Sequence, residues 1–297
     1  MTSYENVLVT GAAGYVGQFL TPKLSAYRVV AIDRSSKSGI YQQDINDFSE
    51  QGVGLINSQF SVIHLAAART DHGISTEQYY RDNVVATQEF LARLSPENIK
   101  KFVHVSSVAA IDGQTIPYHR SLRSDDAYRS TKYLQQCLVE EWCIKNSVPV
   151  TVVLPSAIYD PCLGGNTNVA RLIKYSKALP LFPIIPIKKS LTEMEKFCDF
   201  LVYSLSEADG LHCIAIERPV ETVGQIVKRH FPQKKQFKVY GIESFLLFVS
   251  GVIEFILPNL GITRARIRKL FKSTDYENVN VKLDVNTYNF FIRESTR

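Results

Sequence analysis

The chain has 297 residues, 45% of them hydrophobic and 21% charged, a composition that fits one large α/β domain with a smaller appended lobe. Its formal net charge of +5 is too mild for the dense basic face of a nucleic-acid binder, so no nucleic-acid partner is expected, although it suits an anionic small molecule. Five scattered cysteines (Cys137, Cys143, Cys162, Cys198 and Cys213) without a Cys-x-x-Cys pair, and six histidines without ligand spacing, point to free thiols in a reducing cytoplasm and away from disulfides or a metal site.

The first element is a strand, Val7 to Thr10, beginning so close to Met1 that no export signal is expected. Directly after it stands Gly11-Ala12-Ala13-Gly14-Tyr15-Val16-Gly17, and then a helical pattern from Val16 to Ser25 with Phe19, Leu20 and Leu24 on one face. Glycine lets a chain turn tightly and lets its backbone approach a phosphate, and a helix N-terminus favours an anion. A strand, a Gly-x-x-Gly-x-x-Gly turn and a helix in that order read as a dinucleotide-binding loop. A second strand, Val29 to Asp33, ends in a carboxylate placed to accept hydrogen bonds from an adenosine ribose. Asp33 favours NAD because it repels a 2′-phosphate, whereas Arg34 beside it leaves NADP open.

Further strands follow at Val62 to Ala66, Phe102 to Ser106 and Val150 to Leu154, separated by long helical patterns at Glu77 to Leu94 and Ala127 to Lys145. Between Asp33 and Asp44 there is too little chain for a full helix. Short apolar strands alternating with amphipathic helices predict an α/β fold: a doubly wound, Rossmann-type parallel sheet covered on both faces. Residues 1–160 form that domain in this reading. Residues 161–297 form mainly a substrate lobe, with a later strand and helix returning to the first. Prolines cluster from Pro155 through Pro161, Pro180, Pro183 and Pro186, where the regular winding ends.

Tyr128 and Lys132 stand four apart in Tyr-Arg-Ser-Thr-Lys and so share a helix face. A phenol is a poor base near neutrality, and a neighbouring ammonium makes it a better one, so the pair reads as a proton relay. Ser107, at the end of the strand that begins at Phe102, can hydrogen-bond a substrate oxygen, although taken on its own it reads as a cap on the strand end. The apolar stretch Phe245 to Leu257 is too short to span a bilayer, which needs about 20 apolar residues. It reads as a packed helix, and secondarily as a membrane-surface helix followed by Arg264, Arg266, Arg268, Lys269 and Lys272.

In this order, the motifs resemble the extended short-chain dehydrogenase/reductase family, of NAD-dependent epimerase/dehydratase type. Val9 to Gly17 resembles the family's cofactor loop, which implies contacts through Gly11, Ala13, Gly14, Tyr15 and Val16. Asp44-Ile45 is similar to its adenine-contacting pair, and Val62 to Ala67, with Leu65, Ala66 and Ala67, to its fourth-strand signature. Asn83 resembles the family's helix asparagine, and Pro155, Ala157 and Ile158 the segment passing the nicotinamide. The resemblance implies Ser107, Tyr128 and Lys132 as catalytic residues, with Lys132 also holding the nicotinamide ribose. The second half is similar to bacterial sugar-nucleotide epimerases and 4-keto-reductases, which implies Asn168, Arg171 and Lys189 as contacts to a substrate diphosphate. Asp112 and Asp160 depart from the family pattern in substrate-facing regions. A homodimer through Glu77 to Leu94 and Ala127 to Lys145 is implied as well. Two other functions stay open at this point: reduction of a hydrophobic ketone, and non-catalytic dinucleotide sensing.

Overall fold

The computed structural model describes residues 4–35, 39–69, 74–113, 124–160, 162, 167–206, 211–216, 219–237, 243–244, 247–248, 250–251 and 272–276. These divide into two compact units. One holds the described residues up to Ile158 together with Thr192–Ala215, and the other holds Tyr159–Leu191 together with the described residues from Ile216 onward.

The first unit is built on β1 (Asn6–Thr10), β2 (Arg28–Asp33), β3 (Tyr41–Gln42), β4 (Phe60–His64), β5 (Ile99–Val105) and β6 (Val150–Pro155). A seventh strand, Leu211–Ala215, pairs with β6, and the sheet runs from it through β6, β5, β4, β1 and β2 to β3, with every pairing parallel. The expected doubly wound sheet is therefore present. Side chains alternate across it. Leu8, Ile32, Phe60, Val62 and Phe102 pack on one face with Phe48, Phe90 and Val139, while Val7, Val9, Ile63, Val103 and Val153 pack on the other with Leu20, Leu24, Phe197 and Leu201. Burial on both faces is why these strands read as continuous apolar runs, and each such side chain contributes roughly 1.5–3 kcal/mol.

Register brings three of the sheet's buried polar residues into one row. Thr10 lies opposite His64 across β1 and β4, and His64 opposite His104 across β4 and β5. All three side chains are fully buried.

Several boundaries differ from the sequence pattern. The helix expected over Val16 to Ser25 is α-helical only at Gly17–Leu20 and then tightens into a 3₁₀ turn, Thr21–Leu24, where Pro22 has no N–H to continue an α ladder. Leu20 and Leu24 are buried as expected, but Phe19 is 37% exposed and belongs to the outer face. β4 ends at His64, so Leu65, Ala66 and Ala67 form the segment beyond the strand. The helix expected at Glu77 to Leu94 runs as α at Thr76–Tyr80, π at Arg81–Val85 and α again at Ala86–Ala92. The long helix begins at Ser124 and ends at Lys145. Among the described residues between β2 and β4 stand β3 and a 3₁₀ turn at Ile45–Asp47 and no full helix, as the short sequence there requires.

In the second unit, Thr167 caps the helix Asn168–Ala178 by accepting from the Ala170 N–H (3.1 Å). Thr222 and Gln225 form a reciprocal capping box on Val223–His230. Tyr159, Val169, Ile173, Leu191 and Ile226 pack between these helices and short strands. Of the stretch Phe245 to Leu257, only 247–248 and 250–251 are described, as helix, with Phe248 exposed and Ser250 buried. The rest of it, and the basic residues Arg264 to Lys269, lie outside the described residues. Among the described residues no helix is long and apolar enough to cross a membrane.

Candidate active site

The sheet order reverses between β1 and β4, and the loops leaving their carboxyl ends meet there. Gly11 follows β1 with φ at +71°, and a Cβ on it would lie 2.8 Å from the Ala66 nitrogen and 2.9 Å from its Cα. Gly17 lets the helix start approach the preceding turn, since a Cβ there would lie 2.6 Å from the Ala12 carbonyl carbon. Gly14 differs. It is exposed, and its Cβ would meet only the Gly11 carbonyl oxygen, at 3.0 Å. Two of the three glycines thus serve chain packing, and the third leaves bare backbone on the surface of the turn.

Asp33, at the end of β2, accepts from the Ala13 N–H (3.1 Å) through one oxygen and from the Ser35 N–H (2.8 Å) through the other. The carboxylate is thereby fixed beside the glycine turn. Gln18 braces the same turn by donating to the Ala13 carbonyl (2.7 Å), a contact that no motif announces. Arg34 pairs with Asp82 (3.2 Å) and is 63% exposed, while Tyr15 carries the Arg69 guanidinium over its ring at 5.8 Å. Asp44 caps the 3₁₀ turn by accepting from the Asn46 N–H (3.1 Å), and Ile45 is buried in the core. A bare glycine turn with a fixed carboxylate at its side fits the diphosphate and adenosine ribose of a dinucleotide.

Leu65, Ala66 and Ala67 are partly exposed along this crevice. Asn83 secures the chain just beyond them, accepting from the Ala68 N–H (2.6 Å) and donating to the Thr131 hydroxyl (3.1 Å) from a fully buried position. Pro155 ends β6, and Ala157 and Ile158 continue in the short strand Ala157–Tyr159.

Ser107 lies between β5 and the helix Val108–Gly113, so it caps the start of that helix and not the strand end. Its Oγ accepts from the Ala109 N–H (3.2 Å), as a cap does, and the same side chain hydrogen-bonds Tyr128. Tyr128 sits in the first turns of the helix Ser124–Lys145, its ring edge-on to Tyr79 at 6.1 Å. Burial holds its hydroxyl above the ordinary phenol value, opposed by the Ser107 hydrogen bond and by the charge of Arg69. Lys132, one turn on, is 2% exposed and donates to the Val105 carbonyl (3.0 Å) and to Gln135 Oε1 (2.6 Å). Burial pulls its ammonium down to about 7. The sequence singles out the serine, tyrosine and lysine and passes over Gln135 and Arg69, neither of which belongs to a motif.

In the second unit, Arg171 stands in the first turn of its helix and is half-buried. The Lys189 ammonium donates to the Lys272 carbonyl, and burial first, then the charge of Lys272, lowers it to about 8. Asn168 begins the same helix as Arg171, and its side chain lies outside the described residues. Asp160 accepts from the Cys162 N–H (2.9 Å).

This chain is similar to a UDP-glucuronate 4-epimerase of Thermodesulfobacterium geofontis, 28% identical over 57% of this chain and 60% of that protein. It is also similar to an N-acetyl-α-D-glucosaminyl-diphospho-ditrans,octacis-undecaprenol 4-epimerase of Escherichia coli O157:H7, 24% identical over 75% of this chain and 70% of that protein. Among solved structures it resembles the UDP-glucuronic acid 4-epimerase from Bacillus cereus in complex with NAD (TM-score 0.62, 20% identity, 78% of this chain and 85% of that one). It likewise resembles a UDP-glucose 4-epimerase with UDP-glucose from Thermotoga maritima (TM-score 0.60, 19% identity, 80% and 86%). At these identities the structural likeness establishes the fold. The sequence model of one family matches residues 7–178, which include the glycine turn, Asp33, Ser107, Tyr128 and Lys132, and the chain belongs to that family, the NAD dependent epimerase/dehydratase family.

Proposed function

We propose that this protein is an NAD-dependent enzyme of nucleotide-sugar chemistry, a 4-epimerase or a 4-keto-reductase. The observation that carries the reading is the Ser107–Tyr128 hydrogen bond beside the buried Lys132, in the same unit as the glycine turn and Asp33. NAD, when bound, supplies the hydride acceptor and donor. Backbone of the turn around Gly14 would hold its diphosphate, Asp33 its adenosine ribose and Lys132 its nicotinamide ribose. Tyr128 moves a proton at its phenolic oxygen to or from the sugar oxygen, and Ser107 Oγ orients that oxygen. With its hydroxyl raised above the ordinary value, Tyr128 holds its proton at neutral pH, so it begins as an acid. Positive charge nearby makes it a base. Asn168, Arg171 and Lys189 are the groups we assign to the substrate diphosphate, whose charge suits guanidinium and ammonium donors. The curated relatives act on UDP-sugars or on a sugar diphospho-lipid, which supports a sugar diphosphate as the substrate class.

The test is to identify the nucleotide that copurifies and to incubate the protein with UDP-glucose, UDP-glucuronate and UDP-N-acetylglucosamine, following product sugars and nicotinamide absorbance. Retained NAD with sugar interconversion and no net absorbance change marks an epimerase; stoichiometric oxidation of added NADH marks a reductase. Tyr128→Phe is expected to lower turnover by about 10²–10⁴-fold while NAD affinity stays within about twofold. A variant as active as wild type removes Tyr128 from the mechanism, and inertness towards every sugar diphosphate removes the assignment. Light scattering on the same sample reads the proposed homodimer.

A further inference from the structure

A buried polar network lies behind the reactive residues, and its centre is Gln135, which is fully buried. Its Nε2 donates to the Ala66 carbonyl (3.0 Å) and the Thr87 hydroxyl (2.9 Å) and lies 3.3 Å from His64 Nε2. Its Oε1 accepts from the Lys132 ammonium (2.6 Å). This amide has one tenable orientation. Reversed, it would set oxygen against the Ala66 carbonyl and N–H against the ammonium, with acceptor facing acceptor and donor facing donor.

The partners of Gln135 are fixed in turn. His64 Nδ1 lies 2.8 Å from the Thr10 hydroxyl, which accepts from the Ala66 N–H (3.3 Å). The imidazole stacks on Phe90 and His104, and burial first, with the Lys132 charge second, lowers it to about 3. Gln135 gives its two N–H groups to Ala66 and Thr87, and the neutral imidazole has the Thr87 hydroxyl 3.3 Å from Nε2 and the Thr10 hydroxyl 2.8 Å from Nδ1. Lys132 thus faces the neutral His64 from β4, its own Val105 carbonyl bond on β5, and the neutral amide of Gln135; among the described residues no carboxylate is one of its hydrogen-bond partners.

We propose that Gln135 is a positioning residue that binds the Lys132 ammonium at one end and the Ala66 carbonyl at the other, setting the ammonium and the Leu65 to Ala67 segment as one unit. The inference rests on the reading of Lys132 as part of the reactive centre. A neutral acceptor in that place holds the ammonium without adding a negative charge. A carboxylate there would fix Lys132 as a permanent cation. Burial among neutral partners instead keeps it close to its titration point at neutral pH.

The test follows the Lys132 titration itself by NMR of protein carrying ¹³C-labelled lysine, with Lys132→Met locating its resonance. Wild type is expected to titrate at about 7. Gln135→Glu should raise that midpoint by about one unit or more, and Gln135→Met, which keeps the volume but removes the acceptor, should lower it. The pH profile of kcat/KM should move the same way in each variant. Midpoints that stay together in all three proteins, or a wild-type lysine that titrates like a free one, overturn the proposal. The NMR arm is read on the chain alone, so failure to turn over sugar diphosphates would refute the proposed function without touching this result. Unchanged midpoints in an active enzyme would refute only the role of Gln135.

Discussion

Gly11→Ala isolates the contribution of the first glycine of the turn. An L-residue at a φ of +71° is strained by about 1–2 kcal/mol. The new Cβ, 2.8 Å from the Ala66 nitrogen and 2.9 Å from its Cα, must displace backbone rather than a side chain, which adds about 1–3 kcal/mol. A stiffer unfolded chain returns about 0.4–1 kcal/mol, so the net loss is about 1–5 kcal/mol. Gly14→Ala is the internal comparison, with no positive φ and a single 3.0 Å contact to the Gly11 carbonyl, and it should cost less than about 1 kcal/mol. Urea unfolding at constant m reads both values, and titration calorimetry reads NAD affinity. Gly14→Ala should weaken NAD by about tenfold with stability nearly intact, because its methyl group would stand on the face assigned to the diphosphate. The reasoning is refuted if Gly11→Ala is as stable as wild type, or if the two substitutions destabilise equally.

Asp33→Asn removes the charge while leaving an acceptor for one of the two backbone N–H groups at Ala13 and Ser35. It should lower the NAD-to-NADP affinity ratio by about tenfold, read from cofactor fluorescence titrations; an unchanged ratio would show that Asp33 does not select the cofactor. His64 gives a pH signature. Its folded value of about 3 lies below the ordinary 6.5, so between those values the unfolded chain binds a proton that the folded chain does not. Stability therefore rises with pH through that window and is lost as pH falls. The urea midpoint should fall less steeply on acidification in His64→Gln than in wild type, and parallel slopes would contradict the burial of a neutral ring.

The parts of this protein that are legible in its sequence are those whose chemistry forces a residue type. A turn that brings Gly11 against Ala66 admits no side chain, and a sheet buried on both faces admits only apolar runs such as Val7 to Val9 and Val150 to Leu154. Phe19 escapes the apolar spacing because that spacing assumes an α-helix through Ser25, whereas Pro22 ends it after one turn. Gln135 is hidden for a different reason. A glutamine on an amphipathic helix ordinarily reads as solvated surface, and only the packing of β4 against the long helix brings His64, Ala66 and Thr87 around it. Arg69 likewise has no local signal, since its effect on Tyr128 arises from tertiary proximity. In the second unit, Arg171 and Lys189 are as polar as any exposed helix or strand residue, and spacing alone does not distinguish a ligand from a surface charge.

The π turn at Arg81–Val85 is in effect a one-residue insertion in an α-helix. Removing one residue would restore a plain α-helix and rotate the upstream turns by about 100° against the downstream ones. With the downstream half held by the core contacts of Phe90 and Leu91, the swing would fall on Tyr79 and Asn83. A related chain without the extra residue would therefore need a different partner for the Ala68 N–H, so the two features should be gained and lost together in descent.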